Sequence, residues 1–119
     1  MRATTGLIYL ASPYTHDDDD VVEQRVHDVC KAAASLMAGG HLVLSPIAHS
    51  HAIAKVGSLP TDFEWWQRVD KAIIDVCDEL WVLQLDGWEE SRGIKGEVEY
   101  AESIRKPVFY IDKSGKHIV

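Results

Sequence analysis

Two acidic residues of the 119-residue chain fall where helical patterns call for apolar side chains, and carboxyls are groups that do acid, base and nucleophilic chemistry. In GIKGEVEYA, residues 93–101, a stripe at helical spacing runs through Ile94, Glu97 and Val98, Ala101 and then Ile104. Glu99 and Glu102 leave that stripe and are free to face water, whereas Glu97 stays on it. Asp70 repeats the pattern: it lies four residues after Trp66 and four before Ile74, and so shares a helix face with both. Asp75, Asp78 and Glu79 are accounted for by an exposed face and a helix end. Burying a carboxylate without partners is costly or raises its pKa, and burying two implies that they face a polar cavity. Glu97, near the start of its helix, is expected to stay ionised because unpaired N–H groups there favour negative charge. Asp70, in mid-helix among aromatic and aliphatic neighbours, is expected to hold its proton. One ionised and one protonated carboxyl is the division of labour used in cleaving glycosidic bonds, and a retaining mechanism places the pair about 5–6 Å apart across a cavity. For either residue alone, an interior ion pair or a backbone cap is the simpler reading; both together favour chemistry.

The elements that must position these residues alternate in type. Leu7–Ala11 is a short apolar run ended by Ser12-Pro13, the pattern of a strand buried on both faces. A helix is expected from about Asp17 to Ala38, with Val22, Val26, Val29, Ala33 and Leu36 on its apolar side and Gly39-Gly40 stopping it. His41–Ser45 reads as the second strand. Residues 47–61 carry no sustained period and read as a long loop, or a loop with one short helix. Thr61, with Glu64 three residues on, is expected to cap the helix that carries Asp70. Leu80–Leu85 is a third strand, Asp86–Arg92 a loop before the Glu97 helix, and Pro107–Ile111 a fourth strand; Asp112–Val119 could add a turn and a partial strand. The expected fold is a single α/β domain over residues 1–119, three-layered and doubly wound, with a mainly parallel sheet of four to five strands in the flavodoxin-like order 2-1-3-4. Such sheets bind ligands beyond the carboxyl ends of the strands, where strand order reverses. That edge comprises Ser12, Pro13 and Tyr14, then Ser45 and Pro46, then Asp86, Gly87 and Trp88, and the start of the Glu97 helix.

Bulk properties narrow the partners. Apolar content of 46% and charged content of 26% are ordinary globular values, which sets disorder aside. A net charge of −7 argues against a nucleic-acid polymer. No apolar run approaches the length of a membrane span, and the N-terminal run Leu7–Ala11 is short for a signal peptide, so a cytoplasmic location is expected. Cys30 and Cys77 both lie on apolar stripes and are read as reduced, small hydrophobes. A sheet this small leaves little shielding at its edges, so a homodimer or larger homo-oligomer is expected.

Three stretches, IYLASPYT, VDKAIIDVCDELWVL and SRGIKGEVEYA, in this order and at these spacings, resemble the nucleoside 2-deoxyribosyltransferase-like superfamily, and most of all a small bacterial and phage branch of it. The resemblance covers nearly the whole chain. It implies that Glu97 is the nucleophile that attacks the anomeric carbon of a nucleoside or nucleotide, that Asp70 helps protonate the departing base and contacts the sugar, and that Tyr9 positions the nucleophile. It also implies that Ser91 contacts the ligand. Relatives that hydrolyse nucleotides carry an arginine in the first turn to grip a 5′-phosphate, where this chain has SPYTHDDDD. Either Ser91, Arg92 and Lys95 hold the phosphate, or the substrate has none. Ser114 is a weak match for the C-terminal polar residue that some relatives lend to a neighbouring subunit.

Other signals point to binding at the same edge. His49 and His51, with His41 nearby, lack the Cys or carboxylate companions of a metal site, and His49 is read as a solvent-side or ligand-contacting histidine on a lid. Trp66 is assigned to the core and Trp88 to stacking on a base. No GxGxxG, GxxxxGK[ST] or GxSxG occurs, and Gly93 and Gly96 alone do not make a phosphate loop. The Asp17–Asp20 run is a solvated helix start. The expected substrate contacts are therefore Ser12, Tyr14, Ser45, His49, Asp86, Trp88, Ser91, Arg92 and Gly93, with no metal and no cofactor. The alternative expectation is a non-catalytic domain that binds or senses a nucleotide in the same crevice.

Overall fold

Strands and helices alternate in the computed structural model, which describes residues 6–114 and the backbone of residues 117 and 118. β1 (Leu7–Ala11) leads into α1 (Asp19–Ala38), whose cap Asp18 accepts a hydrogen bond from the backbone N–H of Asp20. β2 (Leu42–Leu44), α2 (Pro46–Gly57) and α3 (Phe63–Val76) follow. β3 (Glu79–Leu83), a 3-10 turn at Trp88–Glu90, α4 (Arg92–Ser103), β4 (Val108–Ile111) and β5 (His117–Ile118) complete the order. The sheet runs β2-β1-β3-β4-β5, parallel throughout except for the antiparallel β4–β5 pair. This is the three-layer, flavodoxin-like arrangement, with the order reversing at β1.

Alternation along the strands sorts side chains into two cores. Ile8, Leu10, Trp81 and Leu83 pack with Val29, Ala33 and Leu36 of α1. Tyr9, Ala11, Leu80 and Val82 point the other way, onto Ile74 of α3 and onto Ile94 and Ala101 of α4. The pleat of β1 thus aims Tyr9 at the helix that bears Glu97.

Of the two readings of residues 47–61, the one with a helix holds, and that helix is longer than expected, the twelve residues of α2. Ser45 caps it by accepting from the N–H of Ala48, Pro46 fits its first turn, and Ser58 ends it in the left-handed conformation at φ 54° without a glycine. Only Pro46 and Ala54 of this helix are buried, so it has no apolar stripe for periodicity to detect. The cap of α3 is Asp62, whose carboxylate accepts from the N–H of Trp65, and not Thr61. Cys77 is buried as expected, but Cys30 is exposed; both are free thiols. Among the described residues no helix is long and apolar enough to cross a membrane.

Candidate active site

α3 and α4 lie side by side because Gly96 permits it: a Cβ there would collide with the ring of Phe63. That close approach brings Asp70 on α3 within hydrogen-bonding reach of Glu97 on α4, the residue after the glycine. From the sheet below, the hydroxyl of Tyr9 donates to Oε2 of Glu97 at 2.5 Å. Tyr9 is fully buried and Glu97 is 6% exposed, so the three groups form an enclosed polar cluster within the second core.

Charge sits on this cluster differently from expectation. Burial, and then the negative charge of Asp70, push the Glu97 carboxyl well above the usual carboxylate range, against the opposing effect of the Tyr9 hydrogen bond. Burial also raises Asp70, to about 6, a rise limited by its hydrogen bond with Glu97. Both carboxyls are thus raised: the rise at Asp70 is the one expected from its place in mid-helix, whereas Glu97, expected to stay ionised, is raised as well. Glu97 lies beyond the first turn of α4, where the field of the helix terminus has faded and desolvation dominates. Burial and the same two carboxyls raise Tyr9 well above its usual value, so it remains a hydrogen-bond donor.

Beside the pair, beyond the carboxyl ends of the strands, lies a cavity of about 310 Å³, a volume in the range of small-ligand sites. Asp70 lines it; Glu97 and Tyr9 do not. Of the other residues singled out in the sequence, Ser12, Tyr14, Ser91, Arg92 and Gly93 line the cavity. The Oγ of Ser12 is buried there without a hydrogen-bond partner, which leaves it free for a ligand. Ser91 caps α4 by accepting from the N–H of Ile94, and Arg92 is ion-paired with Glu64.

Four expected contacts lie elsewhere. Ser45 is buried beneath the cavity wall as the α2 cap, and Pro46 takes the lining position. His49 is exposed and its Nδ1 is 3.3 Å from the Oγ of Ser50; His51 faces the cavity instead. Two residues apart on a helix point to nearly opposite sides, whereas a strand would have put both on one face. Asp86 is exposed at a separate, shallower hollow, where its carbonyl accepts from Arg25. Trp88 packs on Tyr110, with ring centroids 5.6 Å apart, while Trp66 lines the cavity with its indole N–H donated to the carbonyl of Pro60. Trp66, assigned to the core, lines the cavity and Trp88 does not, because Trp66 and Asp70, on one stripe of α3, both face the cavity. Phe63 was not among the expected contacts, and of the two histidines read as solvent-side or ligand-contacting it is His51 that lines the cavity; the phase of the helix over residues 46–57 separates them. Among the described residues, no three of His, Cys, Asp and Glu are grouped so as to hold a metal ion.

The fold and site together describe a doubly wound α/β domain whose ligand-sized cavity, at the reversal of strand order, is lined by one member of a buried carboxyl pair. The chain belongs to the family described as Domain of unknown function (DUF1937), which matches residues 6–113. A search of curated proteins returned no match.

Proposed function

We propose that the protein cleaves or transfers the N-glycosidic bond of a nucleoside or nucleotide through a covalent glycosyl-Glu97 intermediate, the chemistry implied by its resemblance to nucleoside 2-deoxyribosyltransferase-like enzymes. The observation that carries this reading is the Asp70–Glu97 pair, two carboxyls within hydrogen-bonding reach of each other and both raised by burial, at the wall of a ligand-sized cavity, with Tyr9 fixing one oxygen of Glu97; in this reading the pair shares one proton. That stock of one proton is what the reaction needs. As the sugar's anomeric carbon approaches, the shared proton moves to Asp70 and Glu97 becomes the carboxylate nucleophile. A Glu97 oxygen bonds to the anomeric carbon, the C–N bond breaks with its electron pair leaving on the base nitrogen, and Asp70 delivers its proton to the base. Asp70, now ionised, then takes a proton from water or from an incoming base as that acceptor displaces Glu97. Because Asp70 lines the cavity and Glu97 does not, substrate must part the two carboxyls before attack.

Incubating the protein with a panel of nucleosides and nucleotides, followed by chromatography for free base and intact-mass measurement for a glycosyl adduct, tests this. Glu97→Gln should lower base release about 10³-fold or more with the fold retained. Activity surviving that change would end the mechanism.

The absence of Glu97 from the cavity lining also favours a second reading. A ligand seated in the cavity touches Asp70 without touching Glu97, as suits a domain that binds a nucleotide and leaves it intact. Bound ligand recovered unaltered from the same incubation would support it.

A further inference from the structure

Opposite in kind to the carboxyl pair, a chain of hydrogen bonds enters the cavity from α1 and α2. The hydroxyl of Tyr14 is 2.8 Å from Nδ1 of His51, and Nε2 of His51 is 2.9 Å from Oε2 of Glu23, which Lys55 also approaches at 3.4 Å. Tyr14 and His51 line the cavity; Glu23 stands outside it. Glu23 is held below its usual range by the His51 hydrogen bond, and an ionised carboxylate only accepts. Nε2 therefore carries the hydrogen, and in the neutral ring Nδ1 is a bare acceptor. Tyr14 must donate its hydroxyl hydrogen to that nitrogen, leaving oxygen lone pairs to face the cavity. The charged residues of the lining agree with this polarity: Asp62, Glu64, Asp70 and Glu90 stand against Arg92, which is itself paired with Glu64. Arg25, at the same edge of the sheet, spends its guanidinium on the carbonyls of Thr15 and Asp86.

We infer that the Glu23–His51–Tyr14 chain is a specificity device that makes the Tyr14 oxygen an obligate acceptor, selecting ligands that present a hydroxyl or amino hydrogen there and rejecting phosphate. The substrate class is then a phosphate-free nucleoside. This deepens the glycosidic reading and rests on it for the class of probe. His51 and Glu23 act through Tyr14 and are positioning residues.

The test uses the four 2′-deoxynucleosides and their 5′-monophosphates. Affinity is measured by equilibrium dialysis on Glu97→Gln, and base release on the native protein. At least one nucleoside should bind tenfold or more tightly than its monophosphate. Adding Tyr14→Phe should weaken that nucleoside by roughly three- to tenfold and narrow its preference over the monophosphate. His51→Ala should do the same, and the two changes together should cost little more than either, a non-additivity that general damage to the fold would not produce. Equal or tighter binding of monophosphates, an unchanged affinity in Tyr14→Phe, or no binding of any probe at millimolar concentration overturns the inference. Tyr14-dependent nucleoside binding without base release leaves the inference standing and removes the glycosidic reading. Base release that favours monophosphates does the reverse.

Discussion

On the α1 side of the sheet, Ile8, Leu10, Trp81 and Leu83 meet Val29, Ala33 and Leu36 as apolar surface against apolar surface. On the α3–α4 side the same strands turn Tyr9 toward Glu97, and α3 brings Asp70 to the same point. The first packing follows the ordinary logic of burial, where each methylene removed from water stabilises the fold. The second places two acids where water is scarce, and their hydrogen bonds to each other and to the Tyr9 hydroxyl only partly offset the desolvation. One face of β1 therefore holds the domain together, and the other tolerates strain in a cluster whose poise suits chemistry. The contrast predicts that truncation hurts the first face, while neutralising charge relieves the second.

The largest effect on stability should come from the α1 face. Leu10→Ala leaves a cavity at a fully buried position and should cost about 2–5 kcal/mol in urea unfolding, without altering the affinity of any ligand that the folded fraction binds. A cost below about 1 kcal/mol would mean that this face is not the structural one.

Asp70→Asn should act in the opposite direction. Folded Asp70 holds its proton up to about pH 6, above its ordinary value of 3.8, so between these pH values the folded state binds more protons than the unfolded chain. Stability contributed by protonated Asp70 is thus present at pH 4 and lost as pH rises through 6. The asparagine variant, with no charge to desolvate, should be more stable than the native protein by on the order of 2 kcal/mol at pH 7, a gap that closes near pH 4. Thermal melts of both proteins across this range check it. A gap that does not vary with pH would remove the strained carboxyl from the comparison.

A smaller effect tests how the two acids are brought together. Gly96→Ala drives a methyl group into Phe63 and should cost about 1–3 kcal/mol by pushing α3 from α4. Its particular signature is that the Glu97 titration, followed by carboxyl NMR, falls toward its ordinary range as the pair separates and the charge of Asp70 recedes. Destabilisation with that titration unmoved would assign Gly96 to packing alone.

Much of this was legible before the structure, for identifiable reasons. The strand at Leu7–Ala11 declares itself because a central strand must be apolar on both faces, and the acids at 70 and 97 stand out against helical stripes. The extent of α2 was hidden because a helix with two buried residues leaves no periodic trace. His49 was preferred to His51, and Trp88 to Trp66, because residue type was visible where helix phase and the direction of a face were not.

The linear chain by itself determined the alternation of strands and helices, the order of the sheet and the two misplaced carboxyls, since these follow from short-range patterns of polarity. Only the tertiary structure decided that Asp70 lines the cavity and Glu97 does not, that burial raises both carboxyls, and that Tyr14, His51 and Glu23 join across three segments. The physical reason is that desolvation and hydrogen-bond partnership depend on everything packed around a group, whereas periodicity depends only on its neighbours along the chain.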